Sequence, residues 1–401
     1  MLKWIMLLIY LLFCLYVWRH TLYSLDLKTC AFPGRKAVGG IYLFLVCSVF
    51  TGKILSDRNL KHFFTCLGNY WLGFLIYLVF FFFVTDIVLI IRKIIKQKNS
   101  ENNCEFHSRR EGFLIVAAVL AASTLFIVYG SIHQKSIIVS DYEIPIDKDG
   151  GKYSSLNMIL IADLHLGHSI GSDDMEKMVT LINKENPDIV ILAGDIFDND
   201  YDALDDPKHL SQILSEIKCR LGVYAVYGNH DVKETLVGGF SVEHSHKALR
   251  DSRMEEFMKE SGITVLEDVT VLVDDSFYLT GRLDGEKNGF GSAKRKSIEE
   301  LTESVDKTKP LFVINHEPDE LKEYAGWGVD LLLSGHTHAG QFFPLTLCQP
   351  LVWENLWGIT KVDDMYSIVT SGVGIYGPPI RVLTDSEIMH VNIKFKKRAF
   401  S

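Results

Sequence analysis

Five short apolar runs in the second half of the chain end in residues that can hold a metal or move a proton. Asn157–Ala162 runs into Asp163-Leu164-His165, Asp188–Ala193 into Gly194-Asp195, and Gly222–Tyr227 into Gly228-Asn229-His230-Asp231. Leu311–Asn315 leads to His316-Glu317, and Asp330–Leu333 leads past Ser334 to Gly335-His336-Thr337-His338. Imidazole and carboxylate together suit Mn, Fe or Zn ions. Asp-x-His and His-x-His put alternate side chains on one side of an extended segment, so both reach a shared centre. Glycine beside a ligand lets the backbone turn tightly and leaves room for an ion or a phosphate. A carboxylate such as Asp195 can bridge two ions. A single one of the 14 histidines could be an unrelated core or surface residue. An ordered set at five run ends is not explained that way. His168, His209 and His390 have no place in the pattern, and His244-Ser245-His246 reads as a polar helix or loop.

The elements that must position these residues alternate. Runs of Ile, Val and Leu bounded by Gly, Asp and Asn read as buried strands. Ser276–Thr280 and Met365–Ser371 are two more. Helical patterns fall between the early runs, over Asp174–Asn186 and Leu210–Arg220, with Asp173 or Asp174 as an N-cap and Pro187 as a stop. Asp364–Phe395 reads as closing strands. This is an α/β layout with buried sheets, in which sites form at the carboxyl ends of strands. Lys294-Arg295-Lys296 reads as a solvated helix start.

In this order and spacing, D-x-H, G-D, G-N-H-D, H and G-H-x-H resemble the calcineurin-like metallophosphoesterase superfamily from roughly Asn157 to Ile393. The resemblance implies a four-layer α/β/β/α sandwich and a two-metal phosphoester hydrolase. One divalent ion would be held by Asp163, His165, Asp195 and His338. The second would be held by Asp195, Asn229, His316 and His336, with a hydroxide bridging the two ions and attacking phosphorus. His230 would contact the phosphate and protonate the leaving oxygen. Asp231 would orient His230 or serve only the strand end. Glu317, Asp198 and Asn199 would lie just outside the ligands, and Arg282 and Asp284 would help bind substrate or form a turn. Val226–Asp231, Ser334–Gln341 and Thr370–Arg381 are similar to membrane-associated bacterial phosphoesterases, the UDP-diacylglucosamine pyrophosphatase-like branch. Ala339 stands where those relatives have glycine.

Charge and hydropathy divide the chain of 401 residues. Up to Val139 there are 15 Lys+Arg against 6 Asp+Glu, and beyond it 26 against 44. A membrane region over residues 1–135 and a catalytic domain over 136–401 follow. The apolar stretches Trp4–Trp18, Val38–Leu55, Tyr70–Ile91 and Phe113–Ser131 are about four transmembrane helices, the first two short. Lys and Arg are densest in the loops Arg19–Lys36 and Arg92–Arg110, which puts those loops in the cytoplasm and the catalytic domain on the far side of a cell membrane. Asp86, within the third stretch, is expected to reach back to Arg92 or Lys93. The acidic domain argues against nucleic acid as a partner. With 7 cysteines and no CxxC, neither a disulfide framework nor a zinc knuckle is indicated. The expected substrate is a phosphodiester or diphosphate, lipid-linked in particular. Alternatives are a broad phosphodiesterase or monoesterase for soluble substrates, and a binding protein on the same fold. The apolar segment Phe342–Trp357 after the last motif reads as a buried lid or as a surface for bilayer or acyl chain.

Overall fold

The computed structural model describes residues 2–24, 33–98, 109–234, 236–237, 240–241, 248–291 and 294–396, so His244 and His246 lie outside the described residues. Two compact units are present. The first holds four helices, α1 (Leu2–Ser24), α2 (Pro33–Ile54), α3 (Arg58–Lys98) and α4 (Arg109–His133), and a two-rung hairpin of β5 (Leu236–Val237) with β6 (Phe240–Ser241). All four helices are long and apolar enough to cross a membrane. The first two run past their apolar stretches to 23 and 22 residues. Leu8, Leu15, Ile41, Leu125 and Ile132 are exposed, as side chains facing lipid would be. Val17, Val49, Trp71, Leu75 and Phe82 form the inner seam. A Cβ on Gly68 would fall 2.8 Å from the Val49 Cα, so α2 and α3 approach backbone to backbone, the close packing that small residues permit in membranes. Asp86 accepts from the Tyr16 hydroxyl at 2.7 Å and lies 3.2 Å from His20 Nε2. This corrects the expected reach toward Arg92 or Lys93: α1 offers polar partners at the same depth, and a carboxylate there pairs inside the bundle.

The second unit is built on two six-stranded sheets. The first contains β1 (Ile137–Ile146), β2 (Ser155–Ile161), β3 (Ile189–Ala193), β4 (Val223–Val226), β7 (Ile263–Val265) and β14 (Ser386–Phe395), in the order β1-β14-β2-β3-β4-β7. The second contains β8 (Val269–Val273), β9 (Phe277–Gly281), β10 (Leu311–Ile314), β11 (Leu331–Ser334), β12 (Gly358–Val362) and β13 (Met365–Val369), in the order β12-β13-β11-β10-β9-β8. The inner strands run parallel, β2 to β3 to β4 in one sheet and β9, β10, β11 and β13 in the other. Both of their faces are covered, which explains why β3 and β10 are apolar without alternation and wholly buried.

Leu160, Ile191, Phe277, Phe312, Leu333 and Met389 fill the space between the sheets. Helices α5 (Ser172–Lys184), α6 (Pro207–Ser215) and α7 (Ser252–Glu260) cover the first sheet through Met178, Leu210 and Phe257. Helices α8 (Ile298–Thr302) and α9 (Leu321–Gly326) cover the second through Ile298, Leu321 and Tyr324. The layers are therefore α/β/β/α. Two local expectations are corrected. The N-cap of α5 is Gly171, because Asp174 at the third helical position reaches back to its amide. Arg295 is not solvated: its Nη2 donates to Asn315 Oδ1 at 2.6 Å and to the Tyr324 hydroxyl at 3.1 Å, supporting the residue before His316.

Candidate metal centre

The ends of β2, β3, β4, β10 and β11 deliver the polar residues to one place. Asp163, His165, Asp195, His336 and His338 all have positive φ, between 47° and 72°. Side chains with a Cβ adopt this conformation only when the surroundings enforce it. Two glycines make the approach possible. A Cβ on Gly194 would fall 2.5 Å from His316 Nδ1, and one on Gly228 would fall 2.3 Å from Asp195 Oδ1.

Three groups of donors result: one joins His165, Asp198 and His230, and the other two hold the expected ligands. In the first of these two, His165 Nε2 lies 3.1 Å from His338 Nε2, which is 3.8 Å from Asp163 Oδ1. In the other, His316 Nδ1 donates to the Ala193 carbonyl at 2.7 Å, leaving Nε2 for the site. That Nε2 lies 3.2 Å from Asp195 Oδ2, from Asn229 Oδ1 and from His336 Nδ1. The ligand atoms of Asp163, His165 and His338, and those of Asp195, His316 and His336, lie within 4.8 Å of one another in each group. Asp195 Oδ2 is also 3.7 Å from His165 Nε2, so one carboxylate reaches both groups.

Lone pairs of nitrogen and oxygen thus converge with too few protons to separate them, and a cation fits such a set. The electrostatics agree. Burial pushes the Asp163 carboxyl up to about 6 and the His336 imidazole down to about 3. Burial, with the neighbouring His165 and Arg381, holds His338 well below its ordinary range. Burial works against a charged His316 as well, but Asp195, Asp163 and Asp284 outweigh it and raise that ring well above the usual value. Negative charge is locally in excess. Nitrogen and carboxylate donors without thiolate suit Zn, Mn or Fe alike.

His230 stands beside the ligands, and burial lowers its imidazole from the ordinary value. Its Nδ1 lies 3.8 Å from Asp198 Oδ1, which is 3.7 Å from His165 Nδ1. Asp231 does something else. Its Oδ1 accepts from the amides of Ile196 and Phe197 at 2.9 and 2.8 Å, and its Oδ2 accepts from Gly228 at 2.7 Å. All its described side-chain hydrogen bonds therefore fix the turns that carry Asp195 and Asn229. Three further residues touch the site that the motifs did not single out for it. The Tyr376 ring lies 5.0 Å from His338 and 6.4 Å from His230, centroid to centroid. Buried Arg381 donates to the carbonyls of Ser371, Gly372 and Gly374 at 2.6 to 3.0 Å and to His338 O at 3.3 Å. Trp353 packs edge-on against His336. Arg282 and Asp284 are buried, and Asp284 caps a turn. Asp284 Oδ1 accepts from the amides of Glu286 and Lys287, and burial pushes its carboxyl up to about 6.

The model of the calcineurin-like phosphoesterase family matches residues 156–340. A transmembrane protein with metallophosphoesterase domain from Danio rerio is 32% identical over 82% of this chain and 72% of its own length. A protein of the same description from Bos taurus is 25% identical over 94% of this chain and 85% of its own. An uncharacterized metallophosphoesterase from Aquifex aeolicus is 29% identical over 71% of this chain and 99% of its own.

Proposed function

The chain belongs to the calcineurin-like metallophosphoesterase family and is a metal-dependent phosphoric ester hydrolase; we propose that it uses two divalent ions to cleave phosphodiester or diphosphate bonds of lipid-linked substrates. The observation that carries the two-ion reading is the reach of Asp195 into both donor groups. Asp163, His165, Asp195 and His338 would hold one ion, and Asp195, Asn229, His316 and His336 the other. When bound, such ions act as Lewis acids on phosphoryl oxygens and make a water-derived nucleophile available near neutral pH.

The chain's own groups do the rest. His230, its imidazole lowered by burial, would take a proton from solvent as an anionic phosphate arrives beside it and would give that proton to the leaving oxygen. Asp198 is a positioning residue, facing the other side of the ring. Asp231 holds the two ligand-bearing turns in register. The Tyr376 ring walls off water beside His338 and His230. The lipid reading is supported by the four helices long and apolar enough to cross a membrane. It includes a multi-pass chain with residues 136–401 as the catalytic domain, on the side opposite the Lys- and Arg-rich loops.

Hydrolysis of bis-(p-nitrophenyl) phosphate by the full chain in detergent tests the chemistry. Turnover that depends on added Mn²⁺, Zn²⁺ or Fe²⁺ and is lost in Asp195→Asn is expected. Turnover untouched by that substitution would remove the two-ion reading.

A further inference from the structure

The segment after His338 has two sides. Its inner side belongs to the site. The Trp353 ring meets the His336 ring with centroids 5.1 Å apart at 74°. Thr337 Oγ1 donates to the Leu356 carbonyl at 2.6 Å, and a Cβ on Gly340 would fall 2.8 Å from the Thr346 Cα, so the segment is seated on the ligand loop. A cavity of about 310 Å³ opens beside it, its wall shared by Trp353, Val352 and the charged Asp319, Glu320, Lys322, Glu323 and Glu354.

Several apolar side chains of the segment and its neighbour stand exposed. Leu347, Leu351 and Val352 are 65%, 88% and 70% exposed. Phe343 N donates to Val382 O at 3.1 Å, which brings the neighbouring Leu383 to the same segment. Leu383 is 76% exposed and held at φ 65°, a conformation that bulky side chains rarely adopt. Trp357 is half exposed, and its indole N–H donates to Glu387 at 2.8 Å. Soluble surfaces rarely gather apolar side chains in this way unless something covers them.

The chain supplies the covering phase. Helix α4, long and apolar enough to cross a membrane, ends at His133, and β1 starts at Ile137. Three intervening residues span on the order of 10 Å at most, so the first strand of the catalytic unit is tethered close to the end of a helix that can cross a membrane. A tryptophan with its N–H satisfied and its ring half exposed is the kind of side chain that settles at headgroup level.

We propose that Leu347, Leu351, Val352 and Leu383 insert into the bilayer surface, with Trp357 at the headgroups, so that the site takes a phosphate carried by a membrane lipid. The substrate half of this rests on the phosphoester reading above; the insertion does not. The full chain is reconstituted in phosphatidylcholine vesicles with a fluorescent amino acid in place of Leu351. Lipids brominated on their acyl chains should quench it, and equal emission in brominated and ordinary vesicles would overturn the insertion. The pair Leu347→Glu and Leu351→Glu should then lower turnover of a vesicle-borne p-nitrophenyl phosphodiester lipid roughly tenfold, with turnover of bis-(p-nitrophenyl) phosphate unchanged. Equal loss on both esters would overturn the link to substrate. A parent chain that is quenched yet hydrolyses neither ester would support the insertion and sink the phosphoester reading alone.

Discussion

His230 is argued to move a proton, not to hold a metal. Replacing it with Gln should therefore lower kcat roughly 10²–10⁴-fold, the usual worth of general acid catalysis, with metal content unchanged by elemental analysis. Loss of metal together with activity would make it a ligand instead. Ala339 permits a second test. It sits at φ 51° between His338 and Gly340, where a side chain with a Cβ costs about 1–2 kcal/mol. Ala339→Gly should raise unfolding free energy by about 1 kcal/mol in thermal or denaturant titration, since glycine loses part of the gain as chain entropy. The motif residues were legible because ligand types stood at the ends of apolar runs. Asp198 was read only as a neighbour, and Tyr376, Trp353 and Arg381 were not assigned to the site. They arrive on long loops, where no periodicity reports what a side chain will face. The apolar segment containing Trp353 and the string Thr370–Arg381 were the available signals.

At the scale of elements, Asp231 ties three backbone amides on two turns. Asp231→Ala should destabilise the domain by on the order of 3 kcal/mol, because three buried amides lose their acceptor, and this should be seen in urea unfolding before any assay of turnover. A second device stands at the start of α7. Arg253 bonds Asp251, the N-cap, and Asp202, and holds both carboxyls below the ordinary range. A depressed folded value means the contribution is present above the unfolded carboxylate range near pH 4 and is lost as pH falls through the folded value. Arg253→Met should therefore be less stable than the parent at pH 7 and converge with it near pH 2. A constant difference across that range would contradict the assignment. The inner strands were readable from their apolar runs. β1 was not, since its residues alternate in burial and its partner β14 lies about 250 residues away. Within the closing stretch Asp364–Phe395, β13 was readable as its own run, but that β13 and β14 belong to different sheets was not, and β12 lies before that stretch.

The whole molecule joins a helical unit to an α/β hydrolase. The internal pairing of the helices was not legible from charge and hydropathy. Tyr16, His20 and Asp86 were scattered polar residues until α1 and α3 brought them together. A double-mutant cycle with Tyr16→Phe and Asp86→Asn should show coupling of about 0.6–1.7 kcal/mol in detergent unfolding, the range found for hydrogen bonds between membrane helices. Additive effects would mean that the pair does not hold α1 to α3. The two ions themselves are open to measurement, through the metal content of the purified full chain set against Asp195→Ala. About two divalent ions per chain are expected, falling to one or fewer in the variant, with chelation abolishing turnover and added metal restoring it in the parent. A chain that binds no divalent ion across Mn²⁺, Zn²⁺ and Fe²⁺, or whose content the substitution leaves unchanged, would contradict the two-ion reading.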